Sequence, residues 1–532
     1  MQWHYVMLVS CVAAVGQTDI RITSRVVQTH FGGVGFHADF PTNWTNPEHF
    51  DQVLAKRWRE LNPSFARVSH RWARGPQAVR DEAGLQGIAE KLVFMKESAG
   101  TEIYLTTMGL KEAAPGAERE AYAKAMVDEI EYLTQHGATN IKTFCVTNEL
   151  SLQKWASMKD DLPTFRDYQR LVFEELKRRK LDIKMLATDA SPVNYWNTLE
   201  WAAANMDDIT GIYGGHHYAN NHPLEDLSFY PWFLERCSWA TGLARQKGKD
   251  FILGEFGPAQ YLQKKHGVRW DTSLYFDTPQ EGQAGIQTVE AAMAAINAGA
   301  YAMGYWTFVD YPEGRAGSSI NHWGLFQWLT NGSKTRAPYY AYGLMTKFFR
   351  GPATTFAVET GDANVRAAAV RRTDGGLWSV VVVNRNAAEA PVSIAWEQAP
   401  GATEFRKYVY DPKNPPQTED GDLQVPAGKV KVESGKISDV IAAGTMAVYT
   451  TDYDDTPPAA VAGLEVTDIP DARQLRWRPS PEADFCYYRI LFNGQRIGSA
   501  VKPEFVDAGP TRRKPGQYQI VAVDRSGNSS VR

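Results

Sequence analysis

The chain contains Ile141-Lys142-Thr143-Phe144-Cys145-Val146-Thr147-Asn148-Glu149, a short apolar run that ends in an amide and a carboxylate. This pattern predicts a buried strand that delivers two polar groups at its carboxyl end. Residues 250–257, DFILGEFG, deliver Glu255 in the same way, 255 − 149 = 106 residues later. The separation corresponds to about two βα units of a parallel barrel. We therefore expect both glutamates at the same rim of one barrel.

Short apolar runs alternate with amphipathic segments from about residue 26 to residue 310. This alternation is typical of βα units that build a parallel sheet. We predict helices over 121–133, 164–180 and 282–298, because their apolar residues recur at helical spacing. Eight strands are predicted, which is the number that a (β/α)8 barrel requires. They are Val34–His37, Phe65–Ser69, Glu102–Thr107, a fourth strand that ends at Glu149, Ile183–Asp189, Gly211–His217, Phe251–Glu255 and Ala302–Thr307.

The pattern changes after Pro352, where strand-like runs separated by Gly, Pro, Asn and Asp begin. Paired acids and prolines at Asp454–Pro458 predict an extended linker within this region. The predicted fold class is α/β, with a TIM barrel followed by two all-β sandwich domains. We place a leader at residues 1–24, the barrel at 25–348, an accessory sandwich at 349–453 and a second sandwich at 456–532.

The apolar stretch from Tyr5 to Gly16 predicts a secretion signal, although no Lys or Arg precedes it. Within it, Leu8-Val9-Ser10-Cys11 resembles a bacterial lipoprotein box, in which Cys11 carries a lipid anchor. Ala14-Val15-Gly16 suits ordinary signal cleavage instead. Both alternatives predict a bacterial protein that is secreted, periplasmic or held at the outer surface. A third alternative is an amino-terminal strand of an accessory sheet.

Composition excludes several classes of protein. A hydrophobic fraction of 43% in 532 residues is enough for a large globular core. The net charge of −4 argues against nucleic acid or anionic membranes as the main partner. After the amino-terminal stretch, no run is long enough to span a bilayer.

The sequence predicts neither a metal nor a cofactor. His216-His217 is an adjacent pair with no carboxylate nearby in sequence, which differs from metal-ligand spacing. Gly32-Gly33-Val34-Gly35 lacks the Lys and Ser or Thr of a phosphate loop and predicts a close bend of strand one. Four scattered cysteines indicate no disulfide framework, and Cys145 is predicted to be an inert buried thiol. They are Cys11, Cys145, Cys237 and Cys486.

Five features at predicted strand ends, taken together, resemble glycoside hydrolase clan A. The resemblance covers residues 26 to 348, and Tyr305-Trp306-Thr307-Phe308-Val309-Asp310 with Trp323-Gly324-Leu325-Phe326 is most similar to family 39 and its family 5 relatives. The five features are Asn148-Glu149 after strand four, Glu255 in Gly-Glu-Phe-Gly on strand seven, Arg67 on strand two, His216-His217-Tyr218 on strand six and Trp306 on strand eight.

The resemblance implies that Glu149 is the acid/base and Glu255 the nucleophile. The chemistry requires the same division, because one carboxyl must hand over a proton while the other attacks as an anion. Arg67 and Tyr218 are expected to hold Glu255 as the anion and to lower its pKa. The remaining implied substrate contacts are Asn148 on a sugar 2-hydroxyl, His216 facing the site, and Trp306 as the floor under the scissile sugar.

Several of these residues also have purely structural interpretations. Arg67 can form an ion pair with another barrel carboxylate, and Trp306 can be ordinary core. Of the two histidines, one is expected to face the site and the other the barrel wall, and we favour His216 for the site. Polar residues at other strand ends are candidates for shaping the pocket without an assigned role. They are His37, Asp39, His70, Arg71, Trp72 and Asp189.

The resemblance implies a retaining glycoside hydrolase that cleaves β-glycosidic bonds in poly- or oligosaccharides without a cofactor. Two alternatives stay open, a catalytically silent sugar-binding protein and a transglycosidase on the same barrel. Two carboxylates that face one cavity at the retaining distance favour an enzyme over a silent binder. Residues 349–452 are similar to the sandwich that often follows a clan A barrel, and 456–532 resemble a fibronectin type III domain.

Overall fold

The computed structural model of the protein describes residues 16–38, 46–70, 81–107, 116–150, 162–259, 282–313, 319–417 and 421–530. Several predicted features lie outside these ranges, namely Cys11 with the leader up to residue 15, and the strand-end residues Asp39, Arg71 and Trp72. Cleavage of the leader and acylation of Cys11 therefore stay predictions.

Eight parallel strands form a closed barrel. Each strand is hydrogen-bonded to the next in chain order, and β8 closes the sheet by pairing Ala302 with Gly33 and Tyr305 with Phe36 of β1. The closure confirms the predicted (β/α)8 fold. The strands are β1 (Thr18–His37), β2 (Phe65–His70), β3 (Glu102–Thr107), β4 (Ile141–Cys145), β5 (Lys184–Ala190), β6 (Ile212–Tyr218), β7 (Phe251–Gly257) and β8 (Ala302–Tyr305).

Burial on both faces explains the apolar runs in the sequence. Every residue of β2 and β7 is buried, because barrel side chains cover one face and the helices cover the other. Polar groups within such strands need partners, since a buried group without a hydrogen bond is costly. Arg67 in β2 and Glu255 in β7 are therefore expected to belong to one polar network.

Helices surround the barrel. α3 shows how the sequence sets their ends, because it starts after Asp81, whose carboxylate accepts from the Gly84 amide, and stops at Gly100 with φ +65°. No helix among the described residues has the length and apolar character needed to cross a membrane. The helices are α1 (Pro47–His49), a π-helix (Phe50–Ala55), α2 (Lys56–Leu61), α3 (Glu82–Ala99), α4 (Gly116–Gln135), α5 (Leu162–Arg178), α6 (Thr198–Asn205), α7 (Phe229–Gln246), α8 (Gly282–Ala298) and α9 (Ala337–Phe348), with 3-10 turns at Val193–Tyr195, Leu329–Asn331 and Pro510–Arg513.

A hairpin and a β-sandwich follow the last barrel strand. Strands β16, β15, β18, β13, β12 and β11 form one sheet in that order, and β17 and β14 face it across a shared apolar core. The hairpin is β9 (Tyr311–Glu313) and β10 (Ser319–Asn321). The sandwich strands are β11 (Arg350–Thr360), β12 (Val365–Arg372), β13 (Trp378–Asn384), β14 (Ala390–Trp396), β15 (Glu404–Tyr410), β16 (Gly428–Lys431), β17 (Lys436–Ile441) and β18 (Met446–Thr450).

The first half of β1 belongs to this sandwich. Residues 18–22 pair in parallel with β14, and Ile20 and Ile22 lie in the sandwich core. The predicted leader boundary at residue 24 therefore falls inside β1, whereas the three alternatives for the stretch Tyr5–Gly16 stay predictions. The chain bends into the barrel at Gly33, where φ is +111° and an added Cβ would lie 1.9 Å from the Ser64 hydroxyl. Only glycine fits this bend without strain.

The last region folds into two three-stranded sheets. One sheet is β19-β20-β23 and the other β22-β21-β24, with Leu475, Trp477 and Tyr488 in the core between them. Asp422 ties this region to the barrel, since it pairs with Lys56 of α2 at 2.6 Å and accepts from the Tyr487 hydroxyl at 3.0 Å. A fibronectin type III assignment stays a prediction. The strands are β19 (Glu465–Ile469), β20 (Ala472–Arg476), β21 (Phe485–Phe492), β22 (Gln495–Ala500), β23 (Glu504–Asp507) and β24 (Tyr518–Asp524).

Candidate active site

Three strands and the loop after a fourth bring the candidate residues to one rim of the barrel. Arg67 lies on β2, His216 and Tyr218 on β6, and Glu255 on β7. The prediction that strand four runs to Glu149 is wrong, because β4 ends at Cys145 and residues 146–149 form a loop. Glu149 has φ +50°, a left-handed conformation that turns the chain away from an extended path.

Both glutamates face the same space. One carboxylate oxygen of Glu149, one of Glu255 and one ring nitrogen of His216 all lie within 4.8 Å of one another. The two glutamates are 6% and 5% exposed, respectively, so both are buried. Carboxyl groups about 5 to 5.5 Å apart flank a sugar in retaining glycoside hydrolysis. The two carboxylates seen here, with one oxygen of each within 4.8 Å of the other, are close enough to flank a single sugar.

Arg67 is the centre of the polar network. Its Nη1 donates to Glu255 Oε2 at 2.9 Å, and its Nη2 donates to Asp189 Oδ2 at 2.8 Å. The same Nη2 donates to the Asn148 side-chain oxygen, and His37 Nδ1 lies 3.0 Å from Nη1. The planar guanidinium can serve several acceptors at fixed angles. Both interpretations of Arg67 therefore apply, because it pairs with Glu255 and with a structural carboxylate.

His216 is held between two carboxylates. Its Nε2 lies 2.8 Å from Asp189 Oδ1, and its Nδ1 lies 3.3 Å from Glu149 Oε1. Burial disfavours a charge on this ring, but Asp189 and Glu255 outweigh it and raise the pKa of His216 to about 9. Burial also opposes ionisation of Asp189, yet His216 and Arg67 hold the pKa of Asp189 below its usual range. At neutral pH the ring is a cation that donates from both nitrogens.

His217 points to the outer wall of the barrel. Its ring lies 5.3 Å from the Trp232 ring and 5.2 Å from the Phe233 ring, both on α7. Burial lowers the pKa of His217 to about 3, so this ring is neutral. Alternation along β6 therefore sends His216 into the site and His217 into the helix layer, as favoured from the sequence.

The pKa of Glu255 does not shift in the expected direction. Burial raises the pKa of Glu255, and the nearby Glu149 carboxylate adds to the rise. Arg67 acts in the predicted sense and lowers it, as does His216, but desolvation outweighs both. The expectation of a lowered pKa is therefore wrong. The Tyr218 hydroxyl donates to Glu255 Oε1, and burial raises the pKa of Tyr218, so the phenol stays protonated.

Aromatic side chains border the pocket. Trp306 is 9% exposed, and its ring lies 4.2 Å from the His37 ring, which itself contacts Arg67. Trp323, which the sequence gave no role, is half-buried and lies edge-on to Tyr218 at 5.6 Å. The segment with Trp323 is held by a buried ion pair, because Asp310 accepts from the Gly324 amide while Arg336 donates to the Gly324 carbonyl and to Asp310.

The other predicted strand-end residues divide into two groups. His37 and Asp189 join the Arg67 network, so both help to build the site. His70 does not join it, since its Nε2 bonds Glu129 of α4 at 2.6 Å. The sequence assigned no role to Asp189, yet Asp189 contacts both Arg67 and His216 and so helps to position both side chains.

A metal ion is one possible occupant of the cluster of Glu149, His216 and Glu255. The sequence argument against a metal considered only carboxylates near His216 in the chain, and the fold brings two of them from other strands. A histidine must be neutral to bind a metal. With the pKa of His216 at about 9, however, a proton occupies the available nitrogen at neutral pH. Metal binding at this cluster would therefore release a proton from His216.

The raised pKa of His216 predicts a loss of stability at alkaline pH. The folded-state pKa of about 9 lies above the ordinary value of 6.5, so the stabilisation is complete below pH 6.5 and disappears as the pH rises through 9. We expect it to contribute on the order of 3 kcal/mol to the free energy of unfolding. Urea unfolding at pH 7 and pH 10 measures it. The His216→Gln variant should lose less stability over this range than the wild type. The control variant His136→Gln, at an exposed position, should lose as much stability as the wild type. Equal losses in wild type and His216→Gln would contradict the assignment.

Comparison with known structures shows which fold this is. No protein-family model and no curated protein sequence matches the chain. A family 30 subfamily 8 xylanase from Clostridium acetobutylicum superposes with a TM-score of 0.55 and 15% identity, over 81% of this chain and 99% of that chain. A family 51 α-L-arabinofuranosidase from Bifidobacterium longum gives 0.57 and 15%, over 81% and 99%. A bacterial orthologue of human α-L-iduronidase gives 0.59 and 13%, over 96% and 98%.

These structures are glycoside hydrolases, and the chain shares their fold over 81% or more of its length. The chain therefore has the fold of glycoside hydrolase clan A, which confirms the expectation from the sequence. The similarity to the iduronidase orthologue covers 96% of the chain, so it extends into the last β-rich region, which starts after residue 455. The more specific assignment to family 39 or family 5 stays a prediction.

Proposed function

We propose that the protein is a retaining glycoside hydrolase that cleaves poly- or oligosaccharides by double displacement. The observation that carries this proposal is the approach of Glu149, Glu255 and His216 to within 4.8 Å of one another at the rim of the barrel. A catalytically silent sugar-binding protein has no need of two carboxylates at this distance. The fold similarity to several glycoside hydrolases supports the same conclusion.

The charges of the buried network favour one proton on the glutamate pair. Arg67 and the His216 cation supply two positive charges, and Asp189 supplies one negative charge. One ionised glutamate makes the network neutral, whereas two leave a net negative charge in a buried site, which is costly. Arg67 and Tyr218 both donate to Glu255, so the negative charge is best placed there. In the proposed mechanism Glu255 is therefore the attacking group and Glu149 the proton donor.

The two glutamates exchange roles between the two steps. In the first step, Glu255 forms a bond to the anomeric carbon while the glycosidic C–O bond breaks and Glu149 gives its proton to the leaving oxygen. In the second step, Glu149 takes a proton from water, the water oxygen bonds to the anomeric carbon, and Glu255 leaves as a carboxylate. The sum is hydrolysis with retained anomeric configuration.

Neighbouring side chains stabilise this sequence of steps. The Asn148 side-chain oxygen accepts a hydrogen bond from Arg67, so the NH2 group of Asn148 can donate to a sugar hydroxyl. A hydrogen bond to the 2-hydroxyl strengthens as positive charge develops on the ring. Trp306 offers a ring face beside His37 as the floor for the sugar. His216 keeps a positive charge near both glutamates and limits the cost of the developing carboxylate on Glu149.

A panel of aryl glycosides tests the proposal. It should include β-xylosides and β-glucosides, and also α-L-arabinofuranosides and α-L-iduronides, because similar folds include enzymes for both α-L-linked sugars. We expect the wild type to hydrolyse at least one of them, with the first-formed sugar observed by NMR in the anomeric configuration of the substrate. Hydrolysis with inversion would contradict double displacement. Binding without hydrolysis across the panel would favour the silent sugar-binding protein.

Transglycosylation uses the same first step. An acceptor hydroxyl then replaces water in the second step, so the two activities differ only in what reaches the covalent intermediate. Product analysis at high acceptor concentration separates them. We expect free sugar to be the main product.

A further inference from the structure

A cavity of about 340 Å³ lies on the outer wall of the barrel, between the 3-10 turn Val193–Tyr195, α6 and α7. It is separate from the catalytic pocket. Its walls contain three tryptophans together with two asparagines, one glutamate and one arginine. The lining residues are Val193, Asn194, Trp196, Asn197, Glu200, Trp232, Arg236 and Trp239.

One of the three tryptophans of this cavity is exposed and another is partly exposed. Trp239 is 38% exposed, and Trp232 is half-buried beside it on α7. Tyr195, which adjoins the lining residues in the chain, is 40% exposed. Large aromatic rings at the surface of a soluble protein mark contact sites for ligands or partners. Trp196 forms a fixed inner wall, because it is buried and its Nε1 donates to the His216 carbonyl.

The polar side chains around these rings are available to a ligand. Asn194, Asn197, Glu200 and Arg236 are all exposed, and their side chains make no hydrogen bond or ion pair with the described part of the chain. They supply both donors and acceptors. The single negative charge of Glu200 offsets the single positive charge of Arg236, so the cavity favours neither a polyanion nor a polycation.

The cavity and the catalytic residues lie on opposite faces of strand β6. His216 of β6 points to the two glutamates, whereas His217 points outward and contacts the Trp232 ring at 5.3 Å. A ligand in this cavity therefore cannot touch Glu149 or Glu255. Binding here and catalysis at the rim use opposite faces of the same strand.

We propose that this cavity is an accessory binding site for an uncharged oligosaccharide chain. Flat rings match the apolar faces of sugar rings, and asparagine, glutamate and arginine match their hydroxyl groups. The choice of a saccharide rests on the proposed function. An accessory site of this kind keeps the enzyme bound to its polysaccharide during successive rounds of catalysis.

Affinity electrophoresis of the full chain tests the proposal. The Glu255→Ala variant is used throughout so that the gels, which contain soluble xylan, arabinan or mixed-linkage β-glucan, are not digested. We expect retardation in at least one gel, and we expect Trp239→Ala or Arg236→Ala in this background to weaken binding by about tenfold. Leu227→Ala, which removes an exposed side chain elsewhere, is the control and should bind like its parent.

Three results would overturn the proposal. The first is the absence of retardation in every gel. The second is retardation that Trp239→Ala and Arg236→Ala both leave unchanged. The third is a change of oligomeric state on Trp239→Ala in sedimentation experiments without any change in retardation, which would make the surface a contact between copies of the chain. Hydrolysis of aryl glycosides by the wild type is measured separately. A hydrolase without this site, and a binder without hydrolysis, therefore give different results.

Discussion

Glu255→Ala is expected to lower kcat on the order of 10⁵-fold, because the attacking carboxylate is lost while the pocket remains. Added azide is expected to restore turnover. The small anion fits where the carboxylate was and attacks the anomeric carbon from the same face, and the product is a glycosyl azide of inverted configuration. Rates with and without azide, together with NMR of the product, measure both effects.

A matched control separates chemistry from folding. Glu102 is a half-buried glutamate at the start of β3, so it lies at the opposite end of the barrel from the site. Glu102→Ala loses its hydrogen bond from the Tyr301 hydroxyl and should lower stability, yet kcat should stay close to that of the wild type. Undiminished hydrolysis by Glu255→Ala would remove this residue as the nucleophile.

Glu149→Ala is expected to lower the rate far more for substrates with poor leaving groups than for substrates with good ones. The variant cannot protonate the departing oxygen, so natural glycosides should lose about 10²- to 10⁴-fold in rate. Aryl glycosides whose phenols are acidic need no proton to depart and should lose less than about tenfold in the first step. The measurement is kcat/KM across phenols of increasing pKa, which should depend much more steeply on leaving-group pKa in the variant than in the wild type.

An equal loss for all leaving groups would contradict the role of Glu149 as the acid. A further outcome checks the second step, in which the same residue acts as the base. Azide needs no base, so it should speed turnover of the activated substrates by Glu149→Ala and give a glycosyl azide of retained configuration. The opposite configurations in the Glu149 and Glu255 variants distinguish the two roles within one assay.

Much of the barrel could be predicted from the sequence because its strands are buried on both faces. The runs predicted β3 with its observed limits and placed β2, β6 and β7 within two residues of their ends. Asn148 and Glu149 were placed at the correct rim, but on a strand instead of a loop. The positive φ of Glu149 has no marker in a sequence, since glutamate is not a residue that favours this conformation.

The amino terminus was harder to interpret for a different physical reason. Residues 18–22 complete a sandwich whose other strands lie more than 300 residues later in the chain. An isolated segment with alternating apolar residues cannot show that distant partner. Pairing with distant strands places residues 18–22 in the sandwich, whereas the three alternatives for the stretch Tyr5–Gly16 stay predictions.

The sequence predicted most residues of the site but not all of the contacts between them. Arg67, Tyr218 and Glu255 meet as expected, because they follow from strand ends in a known order. The double contact of Asp189 with Arg67 and His216 depends on the register of β5 against its neighbours, which the sequence does not contain. Trp323 reaches the pocket only because the buried pair of Asp310 and Arg336 fixes the loop that carries it.

The pKa of Glu255 shows why contacts alone are not enough. The sequence suggested Arg67 and Tyr218 as partners of Glu255, and Arg67 lowers the pKa as expected. Burial depends on how closely the rest of the barrel surrounds the carboxyl, and here it outweighs the partners. The consequence is that the Glu255 carboxyl holds a proton more tightly than an isolated carboxyl does.

The central claim is that Glu255 forms a covalent bond to the sugar. A 2-deoxy-2-fluoro glycoside of the sugar found with the aryl glycoside panel slows the second step and lets the intermediate accumulate. Mass spectrometry of the digested protein should then show one fluorosugar on the peptide with Glu255, and its loss on reactivation. A label on another residue, or inactivation without any covalent label, would contradict double displacement through Glu255.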